Sequence, residues 1–468
     1  MLFPTIEFAV FFAVVFPLTW LLNRFNTWKK WFLVAASYYF YAYWKVEYVP
    51  LLILSSVANF LFALLLGRLG DGRLRLAVMW IAVAANLGVL GYFKYYNFLV
   101  LSLFDVFDAI GVNAPFEFVE VALPIAISFL TFHALSYIID VYRRELAPSR
   151  SLVDLLLYFS FFPHLIAGPM VRARPVLAQT VRPSRPADIR LGASVFLILG
   201  GLFKKVIIAD YLATDFVDNI FRLPTDHSSL DLLLGAYAYG LQIYCDFSAY
   251  TDIAIGVASL LGYEFPQNFN QPYRALTLQD FWRRWHISLS SWLRDYLYIP
   301  LGGSKRAIYR NLMVTMVLGG LWHGASFNFV IWGFLHGLGL AAERMFGFTQ
   351  AAAVKLSPGR AALRWFVTFN VVSLAWVFFR APSLAAAAAY LGRLFGDFSA
   401  GTTMTPFVAA MMVLGGITQV VPAQWWTALR ARYETAPLPV RIGVPFAAIA
   451  LIAWAGPSGV PPFIYFQF

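Results

Sequence analysis

Long apolar runs separated by short polar clusters set the pattern of this chain. The first covers residues 2–22, and others lie at about 31–45, 49–67, 75–93, 121–141, 152–168 and 191–213. They continue at about 230–262, 311–343, 361–379, 403–421 and 442–456. A bilayer core takes about 20 apolar residues of helix. Some of these runs are too short to span alone, and others are long enough to bend or cross twice. The pattern predicts an all-α polytopic membrane protein of about eleven transmembrane helices, with one or two re-entrant or interfacial pieces. No repeat or linker divides it, so residues 1–468 read as one domain. The first basic residue, Arg24, follows the first run, so that run reads as a span and not as a cleavable leader.

The polar clusters carry a topology signal. Arg24, Lys29 and Lys30, then Arg68, Arg73 and Arg75, then Arg143, Arg144 and Arg150 mark one face. Arg172, Arg174, Arg182, Arg185 and Arg190 extend it. The intervening loops are acidic, with Asp105, Asp108, Glu117 and Glu120 in one, and Asp215, Asp218 and Asp226 in another. Under the positive-inside rule the basic face is cytoplasmic. The N-terminus and the tail 461–468 are then expected on the outer face.

Segment 278–303 departs from the pattern. Trp282, Trp285, Leu289, Trp292 and Tyr296 recur at helical spacing, while Arg283, Arg284, Arg294 and Asp295 interrupt the apolar character. This predicts an amphipathic helix at the inner interface, its tryptophans at headgroup level.

Composition narrows the class. The chain is 60% hydrophobic and only 13% charged, against about 25% charged for a soluble domain. Too little polar material remains to cover a soluble protein of this size, which excludes a soluble enzyme and a nucleic-acid-binding module. The formal charge of +11 therefore reads as loop topology and attraction to anionic headgroups. The one cysteine, Cys245, excludes an internal disulfide framework. No HExxH, P-loop or GxSxG pattern occurs, so metal, ATP-driven and serine-hydrolase chemistry lack support.

Ionisable residues inside apolar runs are the candidates for chemistry. His323 stands in LGGLWHGASFNF among Gly319, Gly320 and Gly324, where the helix has licence to break. It either faces a polar cavity or bonds between helices. His336 follows 13 residues later, about 220° around a straight helix, so the two face apart unless the helix breaks. His286 shares a helical face with Arg283 and reads as an active-site or headgroup-contacting histidine. His133 and His164 read as packing residues, and His227 as a solvated loop residue. Asp246 and Asp252 are expected to pair with a cation or backbone donor, or to line a path. Lys204 and Lys205 either pair with Asp210 or bind an anion.

Several longer motifs occur in order: SFLTFHALSYIIDVYR at 128–143, FPHLIAGPMVRARP at 162–175, YCDFSAYTDIAIG at 244–256 and PQNFNQPY at 266–273. DFWRRWHISLSSWLRDYLYIPLGG at 280–303 and RNLMVTMVLGGLWHGASFNFVIWG at 310–333 complete the set. Together they resemble the membrane-bound O-acyltransferase family, in its bacterial polysaccharide branch. The resemblance implies a ring of transmembrane helices around a thin centre, with cavities from both faces meeting at the family histidine, His323. It implies a second family histidine at His286, with Arg283, Trp285, Trp322 and Asn328 as substrate-binding residues. It implies transfer of an acetyl group from a cytoplasmic thioester, acetyl-CoA or an acyl-carrier thioester, with no bound cofactor or metal. The acceptor would be an extracytoplasmic polysaccharide, alginate or similar, reached through an SGNH-type partner outside the inner membrane. D-alanyl or other acyl transfer, and a transport subunit without chemistry, are the alternatives. The tail PPFIYFQF resembles a motif whose tyrosine takes the acyl group in the D-alanylation branch. Tyr465 is then a candidate acyl relay, or an aromatic anchor.

Overall fold

The computed structural model describes residues 1–114, 117–186, 189–348, 356–396, 398–457 and 463–464. Every regular element among the described residues is helical. The first half holds α1 (Ile6–Leu21), α2 (Asn26–Ala42), α3 (Val46–Arg68), α4 (Arg73–Ala109), α5 (Ile127–Tyr142), α6 (Leu152–Ser160), α7 (Ala173–Thr180) and α8 (Leu191–Arg222). The second holds α9 (Ser229–Leu260), α10 (Leu278–Arg284), α11 (Ile287–Leu293), α12 (Ile308–His323), α13 (Phe327–Met345) and α14 (Pro358–Arg380). Four helices follow: α15 (Leu384–Gly396), α16 (Pro406–Ile417), α17 (Ala423–Glu434) and α18 (Leu438–Ala455).

By length and composition, α3, α4, α8, α14 and α18 are apolar and long enough to cross a membrane. Their outward sides carry exposed Leu, Val, Phe and Trp, as lipid-facing surfaces must. The 32-residue α9 differs, because it is buried on nearly every side. A helix enclosed all round is the centre of its bundle, and α8, α14, α15 and α16 pack on it.

The arginine-rich loops meet on one face. Asp71 accepts from Arg75 at 2.6 Å and from Arg144 at 3.0 Å, and hydrogen bonds from Arg144 and Arg75 hold its carboxyl below the usual range. Arg172 and Arg294 both pair with Asp295. Asp71 thus ties the α3–α4 connection to the α5–α6 connection, and Arg143 of the latter reaches the Asp295 carbonyl at 3.5 Å, which joins the end of α11 to the same basic rim.

Two features correct the sequence reading. Segment 278–303 is not one helix. It breaks at Trp285–His286, where His286 adopts φ 42°, a left-handed conformation that costs a side chain energy unless the surroundings impose it. Its tryptophans Trp282, Trp285 and Trp292 are all buried within the protein and do not form an exposed apolar face. The helical periodicity was real, but both halves pack inward because the break turns them into the bundle.

α12 and α13 form a hairpin with its tip at residues 324–326. The 16 residues of α12 rise about 24 Å, less than the roughly 30 Å of a bilayer core. A Cβ on Gly320 would lie 2.1 Å from the Phe329 carbonyl oxygen, and one on Gly333 would lie 2.3 Å from that of Met316. Small residues thus let the two backbones touch. We predict that Gly320→Ala lowers stability by about 1–3 kcal/mol, read by thermal unfolding in detergent. Gly200, whose added Cβ would meet nothing within 4 Å, is the control, and Gly200→Ala should change stability by less than about 1 kcal/mol.

Candidate functional site

The helix break predicted around His323 occurs, and it places the histidine as the last residue of α12. Its ring lies edge-on to Trp322 at 4.9 Å, Trp332 at 5.1 Å and Phe379 at 5.2 Å between centroids. His323 and Trp322 line a cavity of about 780 Å³ with Lys94, Asn97, Glu7, Glu120 and Ser128. The other walls come from Thr5, Tyr43 and Ile127, at helix ends opposite the basic rim.

The break at His286 brings its ring to 6.1 Å from that of Trp322 between centroids, so both histidines neighbour this indole. The residue that holds it is Asn268. One side-chain oxygen, Asn268 Oδ1, accepts from the Ser288 backbone N–H at 3.0 Å and from Ser288 Oγ at 2.8 Å, and lies 3.2 Å from His286 Nδ1. A backbone N–H only donates, so this atom is the amide oxygen. His286 Nδ1 therefore carries its proton and donates, and Nε2 keeps its lone pair. Nε2 is buried and has no hydrogen-bond partner among the described residues.

His336 takes the opposite tautomer. Its Nδ1 accepts from Trp282 Nε1 at 3.3 Å, which leaves the proton on Nε2. The hairpin satisfies the condition set by the helical wheel. His323 and His336 both pack on Trp332, whose ring is 5.1 Å from one and 4.7 Å from the other. Trp322 Nε1 and Trp332 Nε1 are buried donors without a hydrogen-bond partner among the described residues, an arrangement that costs free energy until an acceptor arrives.

A second cavity of about 590 Å³ opens on the basic face, between α10, α11, α12 and α13. Arg283, Arg294 and Arg344 line it with Ser290, Ser291, Ser304 and Trp282. Trp282 is thus shared between this cavity and the His336–Trp332 wall.

The remaining predicted residues fall elsewhere. Trp285 is fully buried and stacks on Phe281 at 5.6 Å, beside Trp376 at 5.0 Å. Asn328 donates to the carbonyl oxygen of Ala381 at 2.7 Å, tying the hairpin tip to the end of α14. His164 donates its Nε2–H to the Tyr158 carbonyl at 2.9 Å and packs on His133. His227 is not solvated as expected but 6% exposed, held between Asn219 and Asp231. Its loop folds back onto the start of α9.

Lys205 pairs with Asp210 at 2.6 Å and with Asp246 at 2.9 Å, and Lys204 with Asp252 at 2.6 Å. Asp246 also accepts the backbone N–H of Ile464 at 2.8 Å. Phe463 stacks near Tyr250 at 4.2 Å and Phe247 at 5.8 Å, and Phe247 lies 4.7 Å from His286. Phe463 and Ile464 are therefore buried inside the bundle and not on its surface. Tyr465 lies outside the described residues.

Sequence reasoning missed Asn268, Lys94 and Tyr95. Asn268 was visible in the PQNFNQPY motif. Lys94 was visible as an uncompensated cation in an apolar run, the signal that flagged the histidines.

The model of the membrane-bound O-acyltransferase family matches residues 126–381. The "Probable alginate O-acetylase AlgI" of Pseudomonas aeruginosa is 43% identical over 392 residues, 83% of this chain and 73% of that protein. The peptidoglycan O-acetyltransferase of Helicobacter pylori is 39% identical, over 79% of this chain and 74% of that protein. The teichoic acid D-alanyltransferase of Bacillus subtilis is 31% identical, over 47% of this chain and 59% of that protein.

Proposed function

The chain belongs to the membrane-bound O-acyltransferase family, and on that premise we propose that it moves acetyl groups from cytoplasmic acetyl-CoA to an extracytoplasmic polysaccharide, alginate or a similar polymer. One observation carries this reading. His323 lines a cavity opposite the basic rim, and His286 and His323 both pack beside the same indole, Trp322. The greater identity to proteins named as O-acetylating enzymes favours acetyl over D-alanyl as the group moved.

Arg283, Arg294 and Arg344 give the basic cavity the charge to hold an anionic thioester donor. His323 is the general base, an effect typically worth about 10²–10⁴-fold. His286 Nε2 is an acceptor, so it holds a proton-bearing group, the incoming hydroxyl or the departing thiol. It does not polarise the carbonyl. That task falls to the indole N–H groups of Trp322 and Trp332, which are buried without an acceptor among the described residues.

The first acceptor is the Tyr465 phenol. The buried seat of Phe463 and Ile464, one ring from His286, supports this assignment. The phenol oxygen attacks the thioester carbonyl carbon, the carbon–sulfur bond breaks, and the phenolic proton passes through histidine to the thiolate. An SGNH-type partner on the far side of the inner membrane then draws the acetyl group to a polymer hydroxyl and restores the phenol. The N-terminus and the tail belong to that far side.

Incubating the purified protein in liposomes with acetyl-labelled CoA tests the scheme. Covalent label is expected on the wild type, and Tyr465→Phe should lose at least 90% of it while keeping its aromatic ring. Full labelling of Tyr465→Phe refutes the relay. No label on any protein, with normal donor binding, leaves the transport reading in its place.

A further inference from the structure

The geometry points to Lys94 as a positioning residue for the catalytic histidine, with Tyr95 as its companion. This inference rests on the acyl-transfer reading of His323.

The last carbonyls of a helix have no partners within it. At the end of α12 those carbonyls belong to the residues around His323. The Gly320 carbonyl is met by the Gly324 N–H at 3.4 Å. The next three are met from α4. Tyr95 donates its hydroxyl to the Leu321 carbonyl at 2.7 Å. Lys94 Nζ donates to the Trp322 carbonyl and, at 3.1 Å, to that of His323. The third N–H of the ammonium goes to Ser128 Oγ at 3.1 Å.

Two further observations support the assignment. α4 widens into a π-helical turn at Gly91–Tyr95, a distortion frequent at functional sites, and this turn carries both donors. A cation at the C-terminal end of a helix is also favoured by the helix dipole, which offsets part of the cost of a buried lysine. Lys94 lines the same cavity as His323, yet all three of its N–H groups are committed. It has none to spare for a reacting oxygen. It acts through the backbone of His323 and Trp322, fixing where the imidazole and the indole N–H point.

The test compares wild type, Lys94→Met, Lys94→Arg and Tyr95→Phe in liposomes. Lys94→Met should lower kcat by about 100-fold and leave the KM for acetyl-CoA within about threefold. Lys94→Arg, which keeps the charge and donors, should recover at least tenfold over Lys94→Met. Tyr95→Phe, which removes one hydrogen bond, should lower kcat by about three- to tenfold. Amide hydrogen exchange at residues 324–328 should be faster in Lys94→Met than in wild type, and this readout needs no substrate. Wild-type protein that transfers no acetyl group overturns the function but leaves the exchange result to decide the clamp. Unchanged exchange in Lys94→Met overturns the clamp, as does a kcat within threefold of wild type. If Lys94→Met fails to fold, Tyr95→Phe decides by the same two measurements, with unchanged exchange and kcat counting against the clamp.

Discussion

Replacing His323 by alanine should lower acetyl transfer by about 10²–10⁴-fold while the protein stays folded. The two halves of this expectation have separate causes. The loss follows from removing the imidazole that α12 brings to the cavity wall. The retained fold follows from what anchors the hairpin tip. Lys94 and Tyr95 bind backbone carbonyls, which alanine keeps, and Asn328 ties the tip to Ala381 independently. The ring contacts with Trp322, Trp332 and Phe379 are lost, so a modest fall in melting temperature accompanies the change. Label transfer in liposomes and thermal unfolding in detergent read both. Transfer by His323→Ala within tenfold of wild type would remove the histidine from the chemistry.

The second large effect is on stability. Lys205 is 2% exposed and lies between Asp210 and Asp246, which are 4% and 3% exposed. Removing one partner of a buried ionic group strands the others without compensation, at a cost of about 3–5 kcal/mol. Lys205→Met should therefore destabilise by about that amount, read as a lower melting temperature and poorer recovery from the membrane. The triple variant Lys205→Met, Asp210→Asn, Asp246→Asn removes all three charges and should regain part of the loss. The side-chain amide then at position 246 still offers an oxygen to the Ile464 N–H. A Lys205→Met protein as stable as wild type would mean that the cluster is not held as ions.

The helical class and the family were legible because they rest on contiguous pattern: long apolar runs and unbroken motifs such as LGGLWHGASFNF. His323 was legible for the same reason, since its glycines announce the break beside it. Where the reading failed, the cause was competition from distant residues. Periodicity from Trp282 to Tyr296 described one amphipathic helix, but Asn268 captures both His286 and Ser288 and imposes the break. His227 sits in a polar stretch, but Arg393 of α15 donates to its carbonyl at 3.2 Å while its ring is held between Asn219 and Asp231. Lys94 meets its partners 228 and 229 positions along the chain, a pairing that no local window reveals. The tautomers of His286 and His336 depend on which neighbour donates, and so belong to the folded state alone.

The seat of Phe463 and Ile464 on Asp246 has a kinetic consequence. A segment joined to its own enzyme meets the site at an effective concentration set by its tether, in the millimolar range for a short flexible one. Under the proposed Tyr465 relay the first half-reaction is unimolecular in acceptor, and its rate is independent of how much polymer or partner surrounds the protein. Supplying the same segment as a free peptide, to a protein whose own copy has been unseated, would take millimolar amounts to match it. Acyl loading and acyl delivery become separate steps, one governed by donor supply and the other by the partner.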